Sequence, residues 1–507
     1  MCRGRRGTTI ALAVLMCVLA VACGSTSKTA KQVGDASSDR AGSTDGATGA
    51  SPAAGSSTGA AGGPGSIGGS GAGRTGRAPG SSGARAGTAS VTSPGKVVGV
   101  TAKEIRIGFG TQKDADQASK TFGLSAVFGD QEAQARAIAN DINARGGVLG
   151  RKLVLVFHDE RSASDIANPD ATGARQCADW TQDRPVFAGM NIVGGRNRTS
   201  FFGCMAKAKT PLLVSDLAPH SIHQINTYAP YLYAPGVATA DRWAPVWIER
   251  LEARKYFTPW NTTTGSPGTA PVKIGVPYTD NDDGRRYLDD IKAALAKVHR
   301  SVAESFAFPE NDGDALRAIP QMLLRFQSQN VTHVLLPSSA YLVTPASEQQ
   351  GYRPRWAMTT LDGLSSLTVT TSPKAQLRGV LGIGWLPVSD TDASHDPGPV
   401  SPNQTRCKAA MERQGLSTAD RLTFTTQLIV CELFLFFAAA LEQAGAITPA
   451  ALQEGAKALA SRFPSAMTFA ERFGPNRYDG ADAVRDIAYD TACSCFKYLD
   501  RRDHRFG

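Results

Sequence analysis

From about Val100 onward, short continuous apolar runs alternate with amphipathic stretches. Ile105–Gly110 reads as a strand, and in Asp130–Arg145 the residues Ala135, Ile138, Ala139 and Ile142 fall on one helical face that Gly146-Gly147 terminates. Lys152–His158, Pro185–Met190 and Pro211–Ser215 read as further strands, with a helical stretch around Cys177. These runs are apolar throughout, the pattern of strands covered on both faces, which predicts a parallel α/β sheet. A second set follows: helices at 239–255, 283–298 and 316–326 alternate with strands at 272–278, 301–308 and 332–336, and further strands at 355–359 and 379–386. Two similar sets in succession predict two similar lobes. Helices are then expected at 403–414, 423–444 and 449–462, and 486–499 returns to strand character. The 423–444 segment is apolar nearly all round, but Glu432, Glu442 and Gln443 interrupt it, so it reads as a core helix and not a membrane span.

Before residue 100 the pattern disappears. Arg3, Arg5 and Arg6 precede an apolar run from Ile10 to Val21, the layout of a secretory signal peptide over residues 1–22. The run is shorter than the roughly 20 residues that span a bilayer. It ends at Cys23, flanked by Ala22 and Gly24 in the manner of a bacterial lipobox, although Ala20 stands where Leu is usual. Cys23 is therefore the expected lipidation site, and the protein is expected outside the cytoplasm, lipid-anchored at the outer face of the cell membrane. Residues 23–99 hold Gly, Ser, Ala and Thr with almost no large apolar side chain, so they cannot offset the entropy of ordering. As a flexible coil such a linker reaches about 50 Å.

The folded part, roughly 400 residues, exceeds one core and implies two domains. The formal net charge of +9 is dispersed, without the basic and aromatic clustering of a nucleic-acid groove, so no nucleic-acid partner is expected. Six cysteines remain beyond the signal and Cys23, and an exported chain permits disulfides. Six allow many connectivities. Nearest-neighbour pairing, Cys177 with Cys204 and Cys407 with Cys431, is the simplest. Cys493 with Cys495 stays open because a Cys-x-Cys loop is tight. The spacing lacks the Cys-x-x-Cys and His pairs usual for zinc, so neither a metal nor another cofactor is expected. No catalytic motif of the nucleophile-elbow, zinc-protease or P-loop type occurs, and the chain is read as a binding protein, not an enzyme.

Two stretches carry a resemblance. Val100–Gly108 resembles the opening strand of the branched-chain-amino-acid (Leu/Ile/Val) type of periplasmic binding protein, and Ile142–Leu153, INARGGVLGRKL, closely resembles that family's passage from first helix to second strand. The resemblance runs from about residue 100 to the end and implies a type I solute-binding fold: two doubly wound parallel-sheet lobes joined by three hinge crossovers. By element order lobe 1 is 103–236 plus 388–478 and lobe 2 is 237–387 plus 479–507, with crossings near Pro235-Gly236, Pro387-Val388 and Gly474-Pro475. It also implies capture of a small polar ligand, an amino acid, amide or similar, for an ABC importer; the alternative is a ligand-sensing or cell-envelope lipoprotein not coupled to transport.

Ligands in such sheets sit beyond the carboxyl ends of the strands. That selects Asn191, Val193, Gly194 and Arg196 after the third strand, and Ser215, Leu217, Ala218 and His220 after the fourth. In the second lobe it selects Asp283, Ser339, Tyr341 and Asp362. Asp362 lies near the family's acidic position. Of the residues with which related binders grip a carboxylate, the Ser cluster is missing from the third-strand loop and the Thr from the fourth-strand loop. Gly194-Gly195 at a helix start could receive an anion, with Arg196 adding a charge. His220 is either ligand-facing or a loop histidine, and Asp280, Asp282 and Asp283 are also read as helix caps.

Overall fold

The computed structural model describes residues 97–121, 126–161, 165, 168–192, 199–216, 218–310 and 312–507. The signal segment, Cys23 and nearly all of the linker lie outside them, as do Val193, Gly194, Arg196 and Leu217.

The first sheet is wholly parallel. It contains β1 (Glu104–Thr111), β2 (Lys152–Asp159), β3 (Ala188–Asn191), β4 (Leu212–Val214) and β5 (Leu232–Tyr233) in the order β2-β1-β3-β4-β5. The helix Gln131–Ala144 buries Ala135, Ile138, Ala139 and Ile142 and is capped by Asp130, whose carboxylate accepts from Ala133 N–H. Its exit explains the sequence motif. Gly147 has φ +72°, and a Cβ there would run into the Arg151 carbonyl. Leu149 and Gly150, both at positive φ, then make a tight turn closed by paired Val148–Arg151 backbone bonds. The Asn143 side chain exchanges two hydrogen bonds with the Leu153 backbone and so locks the helix to β2 at the sheet edge.

The apolar helix Arg421–Ala444 is, among the described residues, the one long and apolar enough to cross a membrane, and it is buried within the fold. Phe434 stacks on Phe109 of β1, Phe437 packs on Phe187 and Phe436 on Tyr233, so this helix covers the first sheet. Cys407–Cys431 ties it to the Pro402–Arg413 helix, and Cys177–Cys204 ties the helices Pro169–Ala178 and Thr199–Lys207 together.

After the short hairpin β6 (Trp260–Asn261) and β7 (Ser266–Pro267), the second sheet contains β8 (Ile274–Thr279), β9 (Val302–Phe308), β10 (His333–Leu335), β11 (Arg355–Thr359) and β12 (Leu381–Gly384). It is completed by β13 (Ala483–Asp490), β14 (Cys495–Tyr498) and β15 (His504–Arg505) from the chain's end. The order is β14-β13-β12-β11-β10-β8-β9, with β15 on β13. The strands from β9 to β12 are parallel, but β13 joins β12 antiparallel, so this sheet is mixed.

The chain passes between the sheets three times. The first passage, after β5, and the third, after Tyr478, lie side by side: Ala234 N–H bonds to Tyr478 O, Gly480 N–H to Ala234 O, and Ala481 N–H to Val237 O. The third passage thus runs just downstream of Gly474-Pro475, where Gly474 and Arg477 close a turn of their own. Arg242 and Asp479 cross-link these two passages through a buried two-fold contact at 3.0 and 2.9 Å. The second passage runs through Trp385–Pro387. One apolar core continues from the first sheet through this region to Trp243, Trp247 and Ile291 of the second lobe.

Candidate functional site

The selected residues that the structure describes lie at or just beyond the carboxyl ends of β3, β4, β8, β10 and β11. Asn191 ends β3, is buried, and directs Nδ2 toward Gln176 Oε1 at 3.4 Å. Ser215 is buried with Oγ against Met467 Sδ, and Ala218 N–H bonds to Asp216 Oδ1. His220 is 2 % exposed and both ring nitrogens are engaged, Nε2 with Asp216 Oδ1 at 3.0 Å and Nδ1 with Gln224 Oε1 at 2.9 Å. Burial opposes its charge, but the Asp216 carboxylate, its hydrogen bond and that of Gln224 outweigh burial and raise the pKa to about 9. His220 is therefore an imidazolium that holds the loop after β4 in shape.

In the second lobe the helix Asp282–Lys297 is capped by Asn281, whose side chain accepts from Gly284 N–H. This corrects the expectation that Asp280, Asp282 or Asp283 caps it: Asn281, one residue earlier than Asp282, has the extended backbone that a cap needs. Asp280 and Asp282 instead pair with Arg285 at the surface. Asp283 receives the Ser221 hydroxyl at 2.5 Å, a hydrogen bond from the first lobe's β4 loop to the second lobe. Asp362 is fully buried, with Oδ1 accepting from Ala340 N–H and Oδ2 from Thr359 N–H, both at 2.9 Å. Its two oxygens thus cap the Ala340–Gln349 helix and the turn after β11. Ser339, half-buried with φ +71°, precedes that helix, and Tyr341 lies in its first turn.

Tyr341 belongs to a contact that sequence reasoning missed. Ala126 and Phe128 from the loop after β1, and Leu422 from the start of the Arg421–Ala444 helix, pack with Leu367 and Tyr341 of the second lobe. Beside it Thr423 Oγ1 donates to Val127 O at 2.8 Å. Two buried polar atoms near the strand ends also escaped the sequence reading. Asp216 Oδ2 and the Tyr287 hydroxyl have no hydrogen-bond partner among the described residues. Burial, and then the nearby Asp362 charge, holds the Tyr287 hydroxyl above its usual range. Asp216 could have been found, since it follows Ser215 directly; Tyr287 lies mid-helix and carries no such signal. A separate cavity of about 510 Å³ at the carboxyl end of β1, bordered by Thr111, Gln112, Asp116 and Gln131, is lined by first-lobe residues alone.

Two α/β lobes joined by three passages and touching through an apolar contact have the architecture of a two-lobed solute-binding protein. A family profile described as periplasmic binding protein matches residues 104–487, and the chain belongs to that family. Membership implies an extracytoplasmic location. No curated protein sequence matches the chain. Among solved structures, a fatty acid ABC transporter substrate-binding protein from Thermomonospora curvata is similar at 15 % identity and TM-score 0.56, over 80 % of this chain and 93 % of that one. A branched-chain amino acid ABC transporter protein from Thermus thermophilus with bound valine is similar at 13 % identity and TM-score 0.57, over 80 % and 96 %. A branched-chain amino acid transporter substrate-binding protein from Streptococcus pneumoniae in complex with isoleucine gives 13 % identity and TM-score 0.54, over 80 % and 100 %. At such identities the likeness is one of fold.

Proposed function

We propose that this protein is a lipid-anchored receptor that captures a small polar ligand, an amino acid, amide or similar compound, between its lobes and delivers it to an ABC importer. The observation that supports the reading is the pair of α/β lobes joined by three passages, with the apolar Phe128–Leu422–Leu367–Tyr341 contact between them. The family and the ligands named for the similar proteins support it. On this reading lobe 1 is 103–236 plus 388–478 and lobe 2 is 237–387 plus 479–507, and Cys23 carries the lipid. Action is by binding and closure, without turnover.

The ligand set differs from the one that the resemblance implied. With Asp362 and His220 occupied by bonds within the protein, Asp216 Oδ2 and the Tyr287 hydroxyl are the groups proposed to meet the ligand's polar end. A ligand that binds the folded state raises the melting temperature, by about 2.7 kcal/mol of added stability at a hundred times Kd. A thermal-shift screen over amino acids, small amides, sugars and fatty acids tests the proposal, and a hit should weaken at least tenfold in both Asp216→Asn and Tyr287→Phe. If no compound in the screen shifts the midpoint, the receptor reading fails. A hit unaffected by either substitution refutes only the assignment of the groups.

A further inference from the structure

Three metal-ligating side chains meet outside the cleft, at the edge of the second sheet. The turn between β13 and β14 carries Cys493 and Cys495, with Ser494 between them at φ +56°. His395, from the loop that follows the second passage, brings Nδ1 to 3.5 Å from Cys495 Sγ. The two sulfurs and a ring nitrogen of His395 all lie within 4.8 Å of one another. In tetrahedral zinc coordination, with Zn–S near 2.3 Å and Zn–N near 2.0 Å, neighbouring sulfur and nitrogen donors stand about 3.5 Å apart. His395 and Cys495 already hold that separation.

The two sulfurs are joined as a disulfide. We propose that reduction of Cys493–Cys495 by an external dithiol uncovers a three-donor site, Cys493 Sγ, Cys495 Sγ and His395 Nδ1, for a thiophilic divalent cation of the zinc class. The reductant's two thiols become its own disulfide, and their two hydrogens end on Cys493 and Cys495. The cation then displaces both thiol protons to solvent and takes the Nδ1 lone pair, with the ring proton on Nε2. The fourth position is left to water. Cys493 is exposed, which gives the reductant access, whereas Cys177, Cys407 and Cys431 are fully buried. The bond closes a sequence separation of 2, so its loss removes little constraint from the unfolded chain and the fold persists. In the oxidised protein His395 Nδ1 is held at 2.9 Å by both Asp392 Oδ1 and Ser394 Oγ; on metal binding the cation replaces these bonds and the ring proton moves from Nδ1 to Nε2.

The test uses the full chain, mildly reduced with a dithiol that is then removed, with free thiols counted by alkylation and mass spectrometry. Two thiols beyond those of the oxidised protein are expected, located at Cys493 and Cys495, with an unchanged far-ultraviolet circular dichroism spectrum. Zinc titration against a chromophoric chelator should then show one ion per chain in the reduced protein and none in the oxidised protein. Cobalt should give a thiolate charge-transfer band. His395→Ala and Cys493→Ser should each weaken binding at least tenfold. The proposal is overturned if the reduced chain binds no zinc, if His395→Ala binds as tightly as the wild type, or if Cys493–Cys495 resists reduction while the fold is intact.

Discussion

Asp390 offers a test of the hinge by charge removal. It is fully buried beside the second passage, and its Oδ2 accepts from the Tyr498 hydroxyl at 2.6 Å, the Thr360 hydroxyl at 3.0 Å and Leu386 N–H at 3.0 Å. Burial raises its pKa from 3.8 to about 7, against these hydrogen bonds and the more distant Arg421 charge, which favour the carboxylate. The folded state therefore holds the proton more tightly than the unfolded state. Between pH 4 and pH 7 the folded chain binds more protons, so stability falls as pH rises, by about 1.4 kcal/mol per unit. The full passage amounts to roughly 4 kcal/mol. Its stabilising effect is complete below the unfolded pKa and absent above the folded one.

Asp390→Asn keeps an acceptor at the Oδ2 position and removes the charge. It places an amide N–H₂ where Oδ1 has no partner, which costs about 1–3 kcal/mol at every pH. The variant should thus be less stable than wild type at pH 5, and the gap should close or reverse by pH 8, a relative change of roughly 3 kcal/mol. Urea unfolding of both proteins at the two pH values measures it, and comparing variant with wild type at each pH cancels the other titrating groups. A stability difference that is the same at pH 5 and pH 8 would refute the reasoning, because Asp390 would then be equally ionised in both states.

Three further outcomes are expected. His220→Gln should lose most at acid pH: the wild-type histidine, raised from 6.5 to about 9, contributes stability that is complete below pH 6.5 and vanishes as pH rises through 9. The variant's deficit in urea unfolding should shrink by roughly 3 kcal/mol over that window, and a constant deficit would show that His220 is not charged. Gly147→Ala should cost about 1–3 kcal/mol in the same assay, since the site has φ +72° and a Cβ meets the Arg151 carbonyl. Arg242→Ala should cost roughly 3–5 kcal/mol by leaving Asp479 buried without its partner.

The first lobe was largely legible because its strands are continuous apolar runs and its glycines are demanded by the backbone. The helix face at Ala135, Ile138, Ala139 and Ile142 and the INARGGVLGRKL turn both follow from local rules. The antiparallel end of the second sheet was not legible, since periodicity says nothing about which strand β13 pairs with. The short helices Ile222–Thr227 and Ala340–Gln349 lie in stretches where the pattern predicts no element; the second holds Pro345 and begins from a left-handed Ser339. The site was legible as loops and not as chemistry. Asp362 stands near the position that the resemblance suggests, but the bonds that occupy it come from Ala340 N–H and Thr359 N–H, groups whose proximity only the fold creates. Likewise nothing local links His395 to Cys495.

The interlobe contacts divide by what closure would do to them. Backbone bonds at Ala234–Tyr478 and Ala481–Val237, the Arg242–Asp479 pair and the Asp390 cluster all lie within or beside the passages, so they can persist while one lobe turns against the other. The Ser221–Asp283 hydrogen bond and the Phe128–Leu367–Leu422–Tyr341 contact join the lobes away from the passages and would break if the proposed closure is reversed. That second set is small: one hydrogen bond is worth about 1 kcal/mol net, and burial of Leu422 and Leu367 contributes a few kcal/mol at most. On the proposed reading, a ligand between the lobes would need to prefer the closed form by about 5.5 kcal/mol, roughly ten-thousandfold, to carry a two-state equilibrium from 1:99 to 99:1. On the proposed reading the bonded passages would guide closure, and the small contact between the lobes would leave its extent to the ligand.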